Sequence, residues 1–201
     1  PEDRPGGASL IRDPVFATAF SILSRVVEQI EHRNPYQVGH SGRVADLAFA
    51  TGQSLGFPER DLDLLQVAGY AHDIGMLLCP DEVLWTAGPL GVAGREMLRR
   101  HVEAGARIVE GVPILAPAAE WIRTHHERWD GTGYPRGLAG SKIPLGGRIL
   151  AVCEVFVGMS SDRPHRRAMD QIDVLRHVRV DAGTAFDGEV VKAFLSSVGA
   201  A

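Results

Sequence analysis

Five histidines and two acidic residues carry the chemistry this chain can do: His40, His72, Asp73, His101, His125, His126 and Glu154. His72 ends an apolar helical run in which Leu65 and Ala68 precede it at helical spacing, so it faces the same way as they do, into the protein. A buried imidazole beside a carboxylate needs partners. The two oxygens of Asp73 can bridge two metal ions while the adjacent imidazole takes a terminal position on one of them; a plain hydrogen bond between the pair would also satisfy them. His125 and His126 are adjacent, and neighbouring residues on a helix diverge by about 100 degrees. That spacing predicts service to two ions, or to one ion and a substrate, rather than joint chelation of one ion. Glu154 interrupts the apolar run Ile149 to Val157, where an unpaired charge is costly. Each residue alone reads as a satisfied core residue; together they predict a metal site. Imidazole and carboxylate without nearby thiolate suit iron or manganese at least as well as zinc.

Helices must position these groups. Asp13 followed by Pro14 is a helix start, with a capping side chain and then a residue whose missing N–H costs nothing in the first turn. Phe16, Phe20, Leu23, Val27 and Ile30 then form one apolar stripe, suited to packing on this domain or on a partner helix, and a homodimer is among the expected assemblies. Further helical periods run from about Ser41 to Leu55, closed by Gly56, and from Pro58 to His72. Others cover Met97 to Val109, Pro117 to Glu127, Leu145 to Ser160, Asp170 to Val180 and Asp187 to Leu195. No segment alternates at period two for long enough to demand a strand, and the fold class is all-α.

The 201 residues suit one domain, expected over 13–201, with 1–12 as a linker or the tail of an upstream region because Pro1 to Gly7 is rich in proline, glycine and charge. A net charge of -4 gives no footprint for a long nucleic acid, which needs a concentrated basic surface, but leaves a small nucleotide open. Cys79 and Cys153 lack a CxxC spacing and read as free thiols of a cytoplasmic protein, and no apolar stretch is long enough to span a membrane.

The runs Gly39-His40-Ser41, His72-Asp73-Ile74-Gly75, His125-His126-Glu127-Arg128 and Asp130-Gly131-Thr132-Gly133-Tyr134-Pro135 resemble the HD-GYP family of bacterial cyclic di-GMP phosphodiesterases. The similarity spans roughly His32 to Phe194 and takes in Ser161-Asp162-Arg163-Pro164 and Phe186-Asp187. Many phosphohydrolases share a His-Asp pair; the doubled histidine leading into Gly-Tyr-Pro is specific. The resemblance implies an HD-domain-like helical bundle with an extended Gly-Tyr-Pro loop. It implies two, sometimes three, iron or manganese ions, with a bridging hydroxide that attacks phosphorus. The implied ligands are His40, His72, Asp73, His101, His125 and His126, with Glu154 at the position of a seventh and with His72 and Asp73 at the catalytic centre. Gly131 and Gly133 would let the loop backbone pass close to the metals. Tyr134 and Pro135 would face the nucleotide, and Arg163 and Arg166 would pair with phosphate or a guanine edge. For Arg166 a helix-end cation is the competing reading. The implied reaction is hydrolysis of cyclic di-GMP to linear pGpG and on to GMP in second-messenger signalling, under a sensor or receiver domain upstream.

Four positions depart from the family pattern. Glu154 replaces an aspartate ligand, and its added methylene shifts the carboxylate by about 1.5 Å. Met76 replaces a lysine expected to face the substrate phosphate. His165 stands for a tyrosine and Val157 for an acidic residue. Tyr36 lies one turn before His40, where some relatives carry a glutamate for a third metal, so two metals are expected. Met76 and Glu154 keep a second reading open, a catalytically weak domain that senses the nucleotide or docks a partner.

Overall fold

The computed structural model of the chain describes residues 8–34, 36–84, 89–163 and 166–200. The first seven residues of the linker expected over 1–12 and the departure at His165 lie outside these residues. Among the described residues the chain is helical, with two isolated backbone bridges and no strand.

Helix α1 (Pro14–His32) begins where the sequence places it, with the Asp13 side chain accepting from the Val15 and Phe16 amides. Its apolar stripe packs on its own domain: Phe16, Leu23 and Val27 are buried, and Phe20 and Ile30 lie against the same core. Helix α2 (His40–Ser54) gives way to Gly56 in the left-handed conformation (φ 75°), and α3 (Glu59–Ala71) follows. The chain just ahead of α1 is tied to α3, since Ser9 Oγ and the Leu10 amide donate to the buried Asp63 carboxylate at 2.8 and 2.6 Å.

A 3-10 turn (Ile74–Leu78) leads to the short α4 (Asp81–Leu84), then α5 (Val92–Arg99) and α6 (His101–Glu110). The single helix expected from Met97 to Val109 is therefore two. The Arg100 amide bonds back only three residues, to the Met97 carbonyl at 3.2 Å, and this tighter turn ends α5 and lets His101 open α6. The helix expected from Pro117 to Glu127 is also shorter: a 3-10 turn (Ala116–Ala118) precedes α7 (Ala119–Thr124), which stops ahead of the paired histidines. Helix α8 (Leu145–Met159) runs through the core, with Ile149, Leu150, Val152 and Cys153 inaccessible to solvent and with α2, α7 and α10 packed around it. Helices α9 (Gln171–Val180) and α10 (Gly188–Ser197) start on the side-chain caps Asp170 and Asp187.

Two contacts bring the ligand-bearing segments together. Arg123 of α7 donates to Glu103 and Glu110 of α6 at 2.8 and 2.7 Å and to Glu120 at 2.6 Å, clamping α6 to α7. The 3-10 turn crosses α6 at Gly75, where a β-carbon would lie 2.0 Å from the His101 carbonyl oxygen and 2.7 Å from the Gly105 nitrogen. Only glycine allows that approach, which delivers Asp73 to His101. Gly75→Ala should therefore cost about 1–3 kcal/mol of stability or more in chemical denaturation, as overpacking against backbone does. A variant as stable as the parent would mean that the crossing is loose.

Candidate metal centre

His40 opens α2 and is buried at the helix start. No side chain of the capping position serves there, because Gly39 is the cap, in the left-handed conformation (φ 75°). Glu31, from the end of α1, supplies the missing acceptor: its two oxygens take the Gly39 and Ser41 amides, each at 2.7 Å. A carboxylate at a helix N-terminus is favoured by the exposed amides and the helix dipole, and here it fixes the backbone on both sides of His40. Sequence reasoning missed Glu31, since the capping acceptor comes from the preceding helix and leaves no local motif.

His72, His101 and His125 are oriented by one device. Each Nδ1 donates to the backbone carbonyl three residues earlier, Gly69 at 2.8 Å, Leu98 at 2.6 Å and Ile122 at 2.6 Å. A carbonyl can only accept, so Nδ1 carries the proton and Nε2 is turned toward the site with a lone pair in the neutral ring. Asp73 lies between two groups of such donors. Its Oδ2 is 3.4 Å from His72 Nε2 and its Oδ1 is 3.3 Å from His101 Nε2. Ligand atoms of His40, His72 and Asp73 all lie within 4.8 Å of one another, and so do those of His101, His125 and His126.

The expected divergence of His125 and His126 is therefore not what the structure has. Both lie beyond the end of α7, with ring centroids 4.1 Å apart, and the helical step of about 100 degrees does not govern the pair. They converge on one group together with His101. Glu154 joins that group from α8, its Oε2 standing 3.5 Å from His126 Nδ1 and 3.9 Å from His125 Nε2.

This donor set fits divalent metal. His40 Nδ1, His72 Nε2 and Asp73 Oδ1 are buried without a hydrogen-bond partner, an arrangement that is costly unless something positive sits among them. His101 Nε2 and His125 Nε2 face each other at 3.5 Å as two acceptors. Burial holds His40 down at about 3 and His126 at about 4, and it pulls His101 and His125 below the ordinary imidazole range, so these rings are neutral ligands at physiological pH. His72 differs: burial pulls it down, but the Asp73 carboxylate outweighs that and lifts it to about 9. Burial raises Glu154 to about 7, with Asp73 adding to the effect and His72 opposing it.

Around the donors, Gly133 lies where a β-carbon would meet the His126 carbonyl oxygen at 2.6 Å and the Arg128 nitrogen at 2.3 Å. The glycine thus lets the loop close on the backbone that bears the paired histidines. Tyr134 donates its amide to the His126 carbonyl at 3.1 Å and stacks its ring on the His126 ring at 4.7 Å, beneath the Arg99 guanidinium at 4.9 Å. Gly131 turns at φ 80°, and Pro135 is exposed. The buried Glu127, to which sequence reasoning gave no role, holds the far side of this loop by accepting from the Arg136 and Leu138 amides at 2.7 and 3.0 Å.

A cavity of about 590 Å³ opens onto His40 and Asp73, with Met76 and Arg163 in its wall. Arg166 is turned elsewhere: its guanidinium donates to the Gly158 and Met159 carbonyls at 2.8 and 3.0 Å, so it caps the end of α8. That is the helix-end role weighed against substrate binding. Tyr36, 43% exposed, shares a shallower hollow with Arg163, Arg166 and Arg167, while Val157 is buried in the core.

A family model of the HD domain matches residues 25–190. The chain is 36% identical over 178 residues to a cyclic di-GMP phosphodiesterase of Thermotoga maritima, covering 88% of this chain and 48% of that protein. It is 33% identical over 175 residues to the cyclic di-GMP phosphodiesterase response regulator RpfG of Xanthomonas campestris, covering 86% and 46%. The chain thus spans about half the length of these relatives. A solved cyclic GMP-AMP specific phosphodiesterase of V. cholerae superposes with a TM-score of 0.69 over 90% of this chain and 48% of that one, at 17% identity, and shares the all-α fold. By the matched residues and these relatives, the chain belongs to the HD domain family and, within it, to the HD-GYP group.

Proposed function

We propose that this domain is a phosphodiesterase that opens cyclic di-GMP to linear pGpG, and further to GMP, using two iron or manganese ions held by His40, His72, Asp73, His101, His125, His126 and Glu154. The observation that carries the reading is the placement of the two Asp73 oxygens at 3.4 and 3.3 Å from histidines of two separate ligand groups. Bound there, the metals would lower the pKa of a water from 15.7 toward about 7 and neutralise phosphate oxygens. Asp73 would offer an oxygen to each ion, and the imidazoles of the two groups would supply further donors. Arg163, in the cavity wall beside His40 and Asp73, offers a planar fork of donors to a phosphate. Tyr134 braces His126 from behind.

The names of the relatives support the substrate class, and matches to 3'3'-cGAMP-specific phosphodiesterases of Vibrio cholerae, the first at 33% identity over 159 residues, make that dinucleotide the natural competitor in a test. The response-regulator name of one relative supports a receiver or sensor domain upstream in the parent protein. Free, buried Cys79 and Cys153 support a cytoplasmic site of action, and among the described residues no helix is long and apolar enough to cross a membrane. The test is an anaerobic assay with iron or manganese that follows pGpG release from cyclic di-GMP beside 3'3'-cGAMP. Binding of the nucleotide without turnover would replace the enzyme with a sensor, the reading that Met76 favours.

Elemental analysis of anaerobically prepared protein should find close to two metals per chain, and Asp73→Ala should lose most of both. Full occupancy in that variant would exclude the bridging role. Metal affinity should also follow pH with a definite sign. His72, raised to about 9, holds a proton on the atom a metal must occupy, so binding releases it. Apparent affinity should rise about tenfold per pH unit for that proton between about pH 6 and 8, and a flat profile would remove His72 from the ligand set.

A further inference from the structure

The cavity beside His40 and Asp73 must receive an anion although two groups in its lining, Asp73 and Glu31, are themselves acidic. Three arginines reach its lining: Arg33, Arg95 and Arg163. Position 76, where a lysine would have been expected, contributes a half-buried methionine to the same wall and no charge. Arg33 is committed elsewhere, donating to the Met76 and Cys79 carbonyls at 3.3 and 3.2 Å and pairing with the Asp81 carboxylate. Arg163 enters from the segment after α8. Arg95 comes from a different element, α5, and its Nη1 donates to the Leu90 carbonyl, a contact that orients the guanidinium without neutralising it.

Helix α5 itself points to a role at the surface of the site. None of its residues is buried, so core packing does not explain what it carries. Arg95 and Arg99 are one turn apart, on one side of the helix. The first lines the cavity at the His40 and Asp73 group, and the second stands over Tyr134 beside His126 of the other group. The side of α5 that bears both arginines thus faces the mouth of the whole centre.

Resting on the phosphodiesterase reading, we propose that Arg95 is a substrate-binding residue that pairs with a phosphate of the cyclic dinucleotide and supplies the cation that Met76 does not. A cyclic dinucleotide carries two phosphodiesters, and one divalent centre faces only one of them. Arg95 and Arg163, brought to one cavity from two different elements, hold the ligand together, and the guanidinium fork of Arg95 grips phosphate oxygens in a bidentate manner. The cation has moved from the turn after the His-Asp pair to the neighbouring helix.

The test uses the metal-loaded chain and a phosphorothioate analogue of cyclic di-GMP that resists hydrolysis. Arg95→Gln should weaken binding about tenfold or more, the usual loss for a charge-assisted contact, and should make affinity less sensitive to salt. Its metal content and melting temperature should match the parent, since α5 buries nothing. The double variant Arg95→Gln/Met76→Lys should recover most of the affinity, because the lysine returns a cation to the same cavity. Arg95→Gln binding as tightly as the parent would overturn the inference, and so would a double variant no better than Arg95→Gln, which would assign the loss to the shape of α5. A parent that holds metal but does not bind the analogue would instead sink the phosphodiesterase reading.

Discussion

Everything in this fold that bears on function converges on one carboxylate with an acceptor on each side. Asp73 holds its two oxygens at 3.4 and 3.3 Å from imidazole nitrogens of different groups, in a place where three buried polar atoms lack hydrogen-bond partners. Without a cation among them, such contacts are repulsive or carry a full desolvation penalty. A proton on His72 offsets part of this, and the Asp73 carboxylate lifts that imidazole against its burial to about 9 while burial depresses His40 and His126. A divalent ion would satisfy several of these atoms at once, which would couple metal binding to the stability of this corner of the bundle.

The rest of the structure can be understood as what it takes to hold that corner. Imidazoles on four segments have to converge, and three of them, His72, His101 and His125, are fixed by backbone carbonyls at helix ends rather than by other side chains. Helix ends leave carbonyls without intrahelical partners, so ligands placed there find their orienting acceptor already present. His101 sits at the start of α6 because the chain breaks after α5, and His125 follows the last residue of α7. The close crossing at Gly75 and the Arg123 clamp then set the distance between these ends.

The sequence made the helices, their caps and the donor inventory legible, because apolar periodicity and residues such as Asp13 and Asp187 act over a few positions. What it could not show were effects of long range. Glu31 fixes His40 across an interhelical loop, and Glu127 anchors a loop whose glycines point to close approach without saying to what. The pairing of His125 with His126 is hidden for a related reason: the step of about 100 degrees per residue holds within a helix, these residues lie just past the end of α7, and that end depends on tertiary packing. Arg166 shows the converse, since its position after an apolar helix allowed two roles and only the placed carbonyls of Gly158 and Met159 distinguish them.

The departures from the family pattern look less like decay once they are placed in space. Val157 is buried among apolar side chains, where an acid would have been a burden. Glu154 reaches the His126 side of the centre despite its extra methylene, and at about 7 its carboxyl shares its proton about evenly with water at neutral pH. Met76 removes charge from one wall, yet two arginines already border the cavity from other elements. Electrostatic potential in a cleft is a sum over all the charges that face it, so a cation lost from one segment can be supplied by another without changing what an anion experiences. Loss of a motif residue is therefore weak grounds for loss of activity when the cavity, rather than the motif, is what the substrate meets.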